Sequence, residues 1–380
     1  MACPCIYSTL SPSPTRPQRT RRTRFVCISD THNHTVKLPK GDVLIHCGDL
    51  TNQGSYNELS KQVEWLEQAD FECKIVVAGN HDLTLDTDFY NKHGAHRFNA
   101  TPQVPADCQA LLTGAKTLTY LVHERHIVKL TSPSGPRTTF SVFGSPYSPA
   151  WGGEWAYQYS RDEDAKALWA QIPLDTDILI THGPAHTHCD QARSQEAAGC
   201  EVLRRQIWRV RPRLALCGHI HEARGAERVV WDFDESGNVV ELERDGWEDP
   251  HPDDGKNSLV DLSARGRKPL DNYGCKCSPG HEGGAVWGSD TSSGEGKGKD
   301  VVAYPDISIL SLGEDRAGLS RSNRALPARL GRRETCFVNC AIQHLSYQRA
   351  RGMPRRLNKP IVVDLDLPVW EEVEEPHDDE

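Results

Sequence analysis

Six short apolar runs alternate with helical patterns over residues 25 to about 232, and this alternation limits the folds open to the chain more than any other feature. Runs of four or five residues rich in Val, Ile and Leu predict buried β-strands, since buried helices need longer runs. The runs cover residues 25–28, 43–47, 75–78, 140–143, 177–181 and 214–217. Strands that alternate with helices predict an α/β domain in which helices cover the faces of the sheets.

The helical patterns share one arrangement, in which apolar residues recur every three or four positions and therefore fall on one helix face. These residues are Tyr56, Leu59, Val63 and Leu66 in one predicted helix and Cys200, Leu203, Ile207 and Val210 in another. A third helix is predicted over residues 161–170. After about residue 233 the alternation stops, and strand-like runs return only at residues 334–342 and 359–367.

The composition of the chain changes along its length. Residues 1–24 hold five Arg and no acid, residues 246–300 hold 11 Gly with little periodicity, and the last ten residues hold seven acids. Segments of this kind bury too little apolar surface to order themselves. We therefore expect a disordered basic leader at 1–23, a core domain at 24–232, a low-complexity and mostly disordered insertion at 233–333, closing strands of the core at 334–368 and an acidic tail at 369–380.

The acidic net charge and the shortness of the apolar runs argue against nucleic acid and against a membrane as partners. The net charge is −9, and because residues 1–24 contribute +5, residues 25–380 carry −14. An acidic body argues against a broad nucleic-acid surface, which needs clustered Lys and Arg. It permits a small phosphorylated substrate, because bound metal ions can supply positive charge. No apolar run approaches the roughly 18 residues of a membrane helix, so no membrane partner is expected.

The cysteines indicate a reducing compartment. The chain has 13 of them, an odd number without framework spacing, and Cys27, Cys47, Cys73 and Cys217 sit in apolar runs. Such cysteines are typical of buried reduced thiols in intracellular proteins. The first residues contain no apolar signal-peptide segment. We expect a cytoplasmic or nuclear location, and the sequence leaves the oligomeric state open.

Potential metal ligands and acid–base groups follow five of the predicted strands. They are Asp30 and His32, then Asp49, then Asn80, His81 and Asp82, then His182, and finally His219 and His221. Each group alone is ordinary turn chemistry, but five in order at strand ends are not. Because ligand sites in α/β sheets form outside the carboxyl ends of the strands, we expect these residues to converge at one edge.

The residue types at these strand ends predict the chemistry of the site. Mixed imidazole, carboxylate and amide ligands suit Mn, Fe or Zn better than Ca or Mg. Two divalent or trivalent ions about 3.5–4 Å apart need a shared ligand, and a carboxylate can bridge them. Such a pair of ions activates a water molecule and neutralises charge on a phosphoryl group. Glycine beside the ligands lets the backbone turn sharply and lets a phosphate approach closely.

The order Asp-x-His, Gly-Asp, Gly-Asn-His-Asp, His and Gly-His-x-His resembles the calcineurin-like metallophosphoesterase superfamily over about residues 24–232. The segments VFGSPYSPAWGGEWAY, ITHGPAH, GCEVL and RVRPRLALCGHIHEA are similar to its MPPED-type branch of metallophosphoesterase-domain proteins. The resemblance implies an α/β fold, a four-layer αββα sandwich of two sheets with helices outside. The long insertion and both tails have no counterpart in the family pattern.

The resemblance also implies a role for each matched residue. One metal would be held by Asp30, His32, Asp49 and His221. The other would be held by Asp49, Asn80, His182 and His219, so that Asp49 bridges the two. His81 would lie off the metals and either donate a proton to the leaving oxygen or stabilise the transition state, and Asp82 would orient His81. Because this sequence keeps His219, the first His of Gly-His-x-His, we expect a competent site.

These features predict a metal-dependent phosphoric ester hydrolase that acts on a small phosphodiester, cyclic nucleotides included, or on a phosphomonoester. One alternative is a catalytically weak nucleotide-binding scaffold, although a scaffold has no need of His81 or of both metals. Another is a phosphoprotein phosphatase, which requires an open groove.

Three weaker histidine and cysteine motifs remain. His186 and His188 follow the His182 loop, where they either line the substrate pocket or form ordinary loop surface. Cys275, Cys277 and His281 could supply three zinc ligands, but no fourth is evident, and the sequence favours disorder there. The segment HERH at 123–126 is one residue short of a zincin motif, so we expect an exposed strand or hairpin.

Overall fold

Two β-sheets lie face to face with helices on both outer faces, which is the four-layer αββα sandwich that the resemblance implied. The computed structural model describes residues 19–94, 97–233, 239–251, 254–272, 332–344 and 357–370. Three buried apolar clusters correspond to the three interfaces between layers. One fills the space between the sheets, and the other two lie under the helices on either side.

Within the described residues the first sheet has six strands. They are β1 (Thr20–Ile28), β2 (Val43–Cys47), β3 (Cys73–Val77), β4 (Thr119–Tyr120), β13 (Ser258–Asp261) and β15 (Ile361–Pro368). Their order across the sheet is β13-β15-β1-β2-β3-β4. The strands β1 to β4 run parallel, while β15 pairs with β1 in the antiparallel sense. Strands β1 and β2 are buried on both faces, which explains why their apolar runs are continuous rather than alternating.

The second sheet has seven strands within the same residues. They are β5 (Glu124–Lys129), β6 (Thr139–Ser145), β9 (Ile178–Thr181), β10 (Leu214–Cys217), β11 (Gly225–Phe233), β12 (Val239–Trp247) and β14 (Glu334–Asn339). Their order is β12-β11-β14-β10-β9-β6-β5. Two short strands, β7 (Ser148–Pro149) and β8 (Gln158–Tyr159), pair separately. The predicted strand at HERH is β5, an edge strand antiparallel to β6.

The helices cover the outer faces of the two sheets. They are α1 (Tyr56–Gln68), α2 (Thr87–Phe89), which continues as a π-helical turn over Tyr90–Gly94, α3 (Pro105–Thr113), α4 (Glu163–Trp169) and α5 (Glu201–Val210). The apolar faces predicted for α1 and α5 are the faces that they bury, except that Tyr56 is exposed. A capping box of Ser55 and Glu58 fixes the start of α1. Among the described residues, no helix has the length and apolar character needed to cross a bilayer.

The first strand begins earlier than the sequence predicted, because residues 20–23, assigned to a disordered leader, are part of β1. Their pairing with β15 runs from Thr20 opposite Pro368. The charges in this stretch are matched across the sheet, where the Arg24 guanidinium makes two 2.7 Å hydrogen bonds to the Asp364 carboxylate. The Arg and Thr residues of this stretch therefore form a strand, because acidic partners lie on the neighbouring strand.

The core also continues beyond the predicted boundary at residue 233. Strand β12 pairs with β11 along its length, and β13 pairs with β15. Leu262 and Leu270 belong to the apolar cluster between the sheets. An insertion that begins at residue 233 is therefore wrong for residues 239–251 and 254–272. Residues 273–331, including Cys275, Cys277 and His281, lie outside the described residues.

Candidate metal centre

The carboxyl ends of β1, β2 and β3 in the first sheet and of β9 and β10 in the second sheet meet at one edge of the sandwich, as predicted. Backbone contacts join the loops of the two sheets there. The amide of His219, after β10, donates to both carboxylate oxygens of Asp30, after β1, at 3.1 and 3.0 Å. The fold thus brings together residues separated by 189 positions in the chain.

The backbone at this edge adopts conformations that L-residues avoid. Asp30, His32, Asp49 and His219 have φ values of 53°, 43°, 55° and 67°. Such residues cost about 1–3 kcal/mol each and persist where surrounding contacts hold them. Here the amide of Asp30 donates to the Gly48 carbonyl at 2.9 Å, and that of His32 donates to the Asp49 carbonyl at 3.1 Å. Four of the 12 described non-glycine residues with positive φ are residues of this site, which supports a functional role for this edge.

Two glycines are required by close approach to the carboxylates. A Cβ on Gly79 would lie 2.3 Å from Asp49 Oδ1, and one on Gly218 would lie 2.3 Å from Asp30 Oδ2. Any larger residue would displace the acid beside it. This contact is the physical reason for glycine in the Gly-Asn-His-Asp and Gly-His-x-His segments.

Asp30, His32 and His221 form a first cluster of possible ligand atoms. His221 Nε2 lies 3.2 Å from Asp30 Oδ1 and 3.4 Å from His32 Nε2. His32 Nδ1 lies 3.1 Å from the Thr51 carbonyl oxygen, so Nδ1 carries the proton and the Nε2 lone pair faces the cluster. Burial lowers the pKa of His32 to about 4, which keeps this ring neutral at pH 7.

Asp49, His182 and His219 form a second cluster, and Asn80 adjoins it. His182 Nδ1 donates to the Cys47 carbonyl at 2.9 Å, which directs Nε2 toward Asn80 Oδ1 at 2.9 Å and toward Asp49 Oδ1 at 3.4 Å. The amide oxygen, the carboxylate oxygen and the imidazole nitrogen therefore point at a common space.

Asp49 lies between the two clusters. One of its carboxylate oxygens lies 3.4 Å from His182 Nε2, and the other lies 3.5 Å from His32 Nε2. This is the position that a bridging carboxylate requires. The assignment of individual side chains as ligands stays a prediction, because geometry establishes only that they converge.

The buried carboxylates of Asp30 and Asp49 need positive charge nearby to remain ionised. Burial alone would raise the pKa values of Asp30 and Asp49, but the imidazoles of His221 and His182, respectively, outweigh it and hold both pKa values well below the usual value. The pKa of His182 is about 9, since Asp49 overcomes the opposing effect of burial. A proton on His182 and a metal ion are alternative ways to supply that charge. The donor set of carboxylate, imidazole and amide fits a cation of the Mn, Fe or Zn type.

His81 lies beside the centre and is only partly buried. Its Nδ1 lies 2.9 Å from the Asn52 carbonyl oxygen, and its ring packs edge-on against His32 with centroids 4.8 Å apart. One His81 nitrogen lies within 4.8 Å of ligand atoms of His32 and Asp49. The imidazole thus borders the clusters and also faces the accessible side.

The predicted orienting contact from Asp82 to His81 is wrong. The Asp82 carboxylate is buried and accepts hydrogen bonds from the backbone amides of Gly79 at 2.9 Å and Thr51 at 2.9 Å, and from the Thr51 hydroxyl at 2.7 Å. It therefore ties the loop after β2 to the loop after β3. The ring of His81 is held by Asn52 instead, a residue whose role no sequence pattern indicated.

Other residues near the centre fall into place only in the structure. The fully buried His46 binds the Thr31 hydroxyl through Nε2 at 2.9 Å and supports the loop after β1. His186 Nδ1 lies 3.4 Å from a Glu201 carboxylate oxygen, whereas His188 is buried between Glu227 and Glu241. Neither belongs to the clusters of possible metal ligands in the described residues. A histidine inside the apolar run of β2 was the one sequence signal for His46.

A family model and several known proteins match the part of the chain that carries this centre. A model of the calcineurin-like phosphoesterase family matches residues 23–223. Human metallophosphoesterase domain-containing protein 1 is 39% identical over 214 residues, which is 53% of this chain and 62% of that protein. A UPF0046 protein of Caenorhabditis elegans is 37% identical over 205 residues, covering 53% of this chain and 64% of the relative.

Two further similarities are more limited. A probable rhamnogalacturonate lyase C of Emericella nidulans is 42% identical over 212 residues, which is 55% of this chain but only 18% of that protein. The chain therefore spans less than two thirds of each of these three relatives. The solved structure of TT1561 from Thermus thermophilus covers 58% of this chain and 89% of its own at 12% identity, with a TM-score of 0.34 that is too low to carry an argument.

Proposed function

Because the chain belongs to the calcineurin-like phosphoesterase family, we propose that it is a phosphoesterase that depends on two metal ions. The observation that carries this proposal is the position of Asp49 between two clusters of possible ligands. One cluster consists of Asp30, His32 and His221, and the other of His182 and His219 with Asn80 beside them. A single shared carboxylate with separate sets on either side supports a dinuclear centre.

Each residue has a defined task in this proposal. Asp30, His32 and His221 would hold one metal ion, Asn80, His182 and His219 would hold the other, and Asp49 would be shared. The chemistry supplied by such a pair would be activation of a water molecule and neutralisation of charge on the phosphoryl group. The Asn52 carbonyl accepts the Nδ1–H of His81, which leaves Nε2 for the substrate. As a general acid His81 would start from its doubly protonated form, transfer the Nε2 proton to the leaving oxygen and keep the Nδ1 proton.

We favour small phosphodiesters, with cyclic nucleotides among them, over phosphomonoesters. The resemblance of VFGSPYSPAWGGEWAY to the MPPED-type branch supports this choice. A charge of −14 over residues 25–380 argues against extended nucleic acids. A weak nucleotide-binding scaffold is the alternative, and so is a phosphoprotein phosphatase. The convergence of both ligand sets beside His81 supports an enzyme over a scaffold.

The test is a substrate panel on protein that has been stripped with a chelator and reloaded with Mn, Fe or Zn. We expect hydrolysis of bis-p-nitrophenyl phosphate and of cyclic nucleotides to exceed that of p-nitrophenyl phosphate and of a phosphopeptide. Faster release of phosphate from the phosphopeptide would favour the phosphatase. Metal binding without hydrolysis of any substrate would favour the scaffold.

Replacement of His81 separates acid catalysis from metal binding. We expect His81→Ala to keep its metal content while turnover falls by about 10²–10⁴-fold on esters with poor leaving groups. The loss should be smaller with p-nitrophenol as the leaving group, because p-nitrophenolate needs little protonation. Loss of metal, or equal slowing of good and poor leaving groups, would show that His81 is not the proton donor.

A further inference from the structure

Trp155 packs against the His81 imidazole. The ring centroids lie 4.4 Å apart with an interplanar angle of 38°, and Trp155 is partly exposed. The two residues are 74 positions apart, and Trp155 lies on the loop between β7 and β8 rather than on a strand end of the metal centre. Trp155 belongs to the segment VFGSPYSPAWGGEWAY and to none of the five groups of possible ligands.

The loop that carries Trp155 is anchored at its base. The amide of Ser148 donates to the Tyr157 carbonyl at 3.0 Å, and the amide of Ala150 donates to the Tyr159 carbonyl at 2.9 Å. The amide of Tyr157 donates to an Asp86 carboxylate oxygen at 2.8 Å. Because Ala156 is fully buried directly after Trp155, the backbone at the indole has little freedom to move.

Further contacts hold Trp155 and its neighbour Glu154 in place. The ring of Phe98 lies 5.4 Å from that of Trp155. The neighbouring Glu154 carboxylate pairs with Arg97 at 2.9 Å and with His93 at 3.1 Å. These contacts restrict the movement of the indole, and the His81 ring packs against it.

The His81 ring consequently has three contacts: the Asn52 carbonyl at Nδ1, a T-shaped contact with His32, and a tilted contact with Trp155. The hydrogen bond fixes one atom, and a ring held at one atom can still tilt about it. A second ring packed against it at 4.4 Å limits that tilt. Proton transfer requires an alignment within hydrogen-bond reach, so the plane of this ring matters for catalysis.

We propose that Trp155 is a positioning residue that holds the plane of His81 so that Nε2 aims at the leaving oxygen of the substrate. The inference rests on the phosphoesterase function proposed above. It differs from direct contact between Trp155 and substrate, which the partial exposure of the indole would also permit, and kinetics separate the two.

The kinetic test compares Trp155→Ala and Trp155→Phe in the metal-loaded full-length protein. The matched control is Trp151→Ala, since Trp151 is exposed on the same loop and its ring lies 5.9 Å from the Arg161 guanidinium. In Trp155→Ala we expect kcat on an alkyl phosphoester to fall about 10-fold or more, with a KM change below about 2-fold. The drop for bis-p-nitrophenyl phosphate should stay below about 3-fold, Trp155→Phe should recover most of the loss, and Trp151→Ala should resemble the native protein.

Two further measurements show whether the effect passes through His81. In the double variant His81→Ala/Trp155→Ala, turnover should equal that of His81→Ala, because a positioning residue has no effect once its target is gone. In imidazole NMR spectra of the Zn-loaded protein, the His81 resonances, assigned by their loss in His81→Ala, should shift in Trp155→Ala as the indole ring current disappears. Trp155→Phe should give an intermediate shift.

Several results would overturn the inference. A raised KM with unchanged kcat would place Trp155 on the substrate. A loss that adds to that of His81→Ala, or His81 resonances that do not move, would remove the link between the two rings while leaving the phosphoesterase function intact. Absence of hydrolysis by the native protein would instead overturn the proposed function and the positioning role with it.

Discussion

Asp49 is the single residue on which both ligand clusters depend. It is buried, its backbone φ is 55°, and its two carboxylate oxygens face His182 and His32. The same carboxylate accepts the backbone amide of His81 at 2.8 Å. One side chain thus connects the two ligand sets to the loop that carries the proposed acid.

We predict that Asp49→Asn lowers metal content more than a change at any other ligand. An amide has one oxygen where the carboxylate has two, and it carries no charge, so both ions lose a partner. Metal per protein after dialysis should fall toward zero, whereas Asn80→Ala should affect one ion. The matched control is Asp177→Asn, which changes a carboxylate that pairs with Arg213 and Arg332 away from the centre. Full retention of both ions in Asp49→Asn would show that Asp49 does not bridge.

Asp82 shows how a residue identity can be predicted while its partner is not. The carboxylate was expected to lie at the site and does, but its hydrogen bonds go to Gly79 and Thr51. A carboxylate next to a histidine in sequence need not face its ring. The direction of the Asp82 side chain is decided by which backbone amides the adjoining loops present, and the sequence of one loop does not contain that information.

At the scale of elements, β12 departs most from the sequence prediction. The strand VVELERDGW carries charged residues at several positions, and its composition resembles a linker. In the structure it is the edge strand of the second sheet beside β11. An edge strand tolerates such a composition because one side of it faces solvent.

Glu241 connects β12 to helix α5 and to the loop after β9. Its carboxylate accepts hydrogen bonds from Arg204 at 2.8 Å, Arg244 at 2.7 Å, and His188 and Trp208 at 3.1 Å each. Burial alone would raise the pKa of Glu241, but these hydrogen bonds, that of His188 foremost, lower it well below the usual value. The ionised form is therefore the stabilising one.

We predict that Glu241→Gln lowers the free energy of unfolding at pH 7 by about 1–3 kcal/mol. Because the folded-state pKa is depressed, the contribution of Glu241 is present above its unfolded-state pKa of about 4.3 and is lost as pH falls through the folded-state value. The difference between native and variant in urea unfolding should therefore narrow below about pH 4. The control is Glu243→Gln, which changes an exposed carboxylate on the same strand and should leave the free energy of unfolding almost unchanged. If the difference in unfolding free energy between the native protein and Glu241→Gln did not change with pH, the stabilising role of the Glu241 charge would be contradicted.

At the scale of the whole molecule, the described residues on either side of segment 273–331 contact each other. The Asn272 side chain donates to the Glu334 carbonyl at 2.8 Å and accepts from the Glu334 amide at 3.0 Å. The Arg333 amide also lies 3.4 Å from the Asp271 carbonyl. A chain that leaves and returns at the same place can be shortened without pulling on the core.

We predict that replacing residues 274–330 with a short Gly/Ser linker preserves folding and activity. Loop-closure entropy changes slowly with loop length, so a shorter loop costs the folded state nothing. The melting temperature should stay within a few degrees of that of the full-length chain. Deletion of 254–272 should abolish soluble folding, because it removes β13 together with the buried Leu262 and Leu270. Unfolding of the 274–330 variant would show that this segment belongs to the core.

The metal centre draws residues from both sheets, so metal binding should contribute to the stability of the whole sandwich. A ligand that binds only the folded state stabilises it by about 3–4 kcal/mol at 100–1,000 times its Kd. We predict that chelation lowers the melting temperature by about 5–10 °C and that Mn or Zn restores it. Asp49→Asn should respond little to the chelator. A melting temperature unaffected by chelation of the native protein would argue against buried metal ligands.

The sequence by itself determined the elements whose local pattern is strong. The apolar runs of β1, β2, β3, β6, β9 and β10 and the amphipathic faces of α1 and α5 appear where they were predicted. It also determined which side chains would converge, because parallel strands deliver their carboxyl ends to one edge. Hydrophobic periodicity is a local property of the sequence, so it predicts which segments form strands and helices.

Only the tertiary structure decided the rest. The strand β12, the extension of β1 to Thr20 and the place of β13 depend on partner strands supplied from distant positions such as Asp364 and Val363. The hydrogen bonds of Asp82 and the packing of Trp155 against His81 join separate loops, and no sequence pattern predicts which loops contact each other. The physical reason is that edge strands and loops gain their stability from contacts across the fold, so their own composition leaves several conformations of similar free energy open.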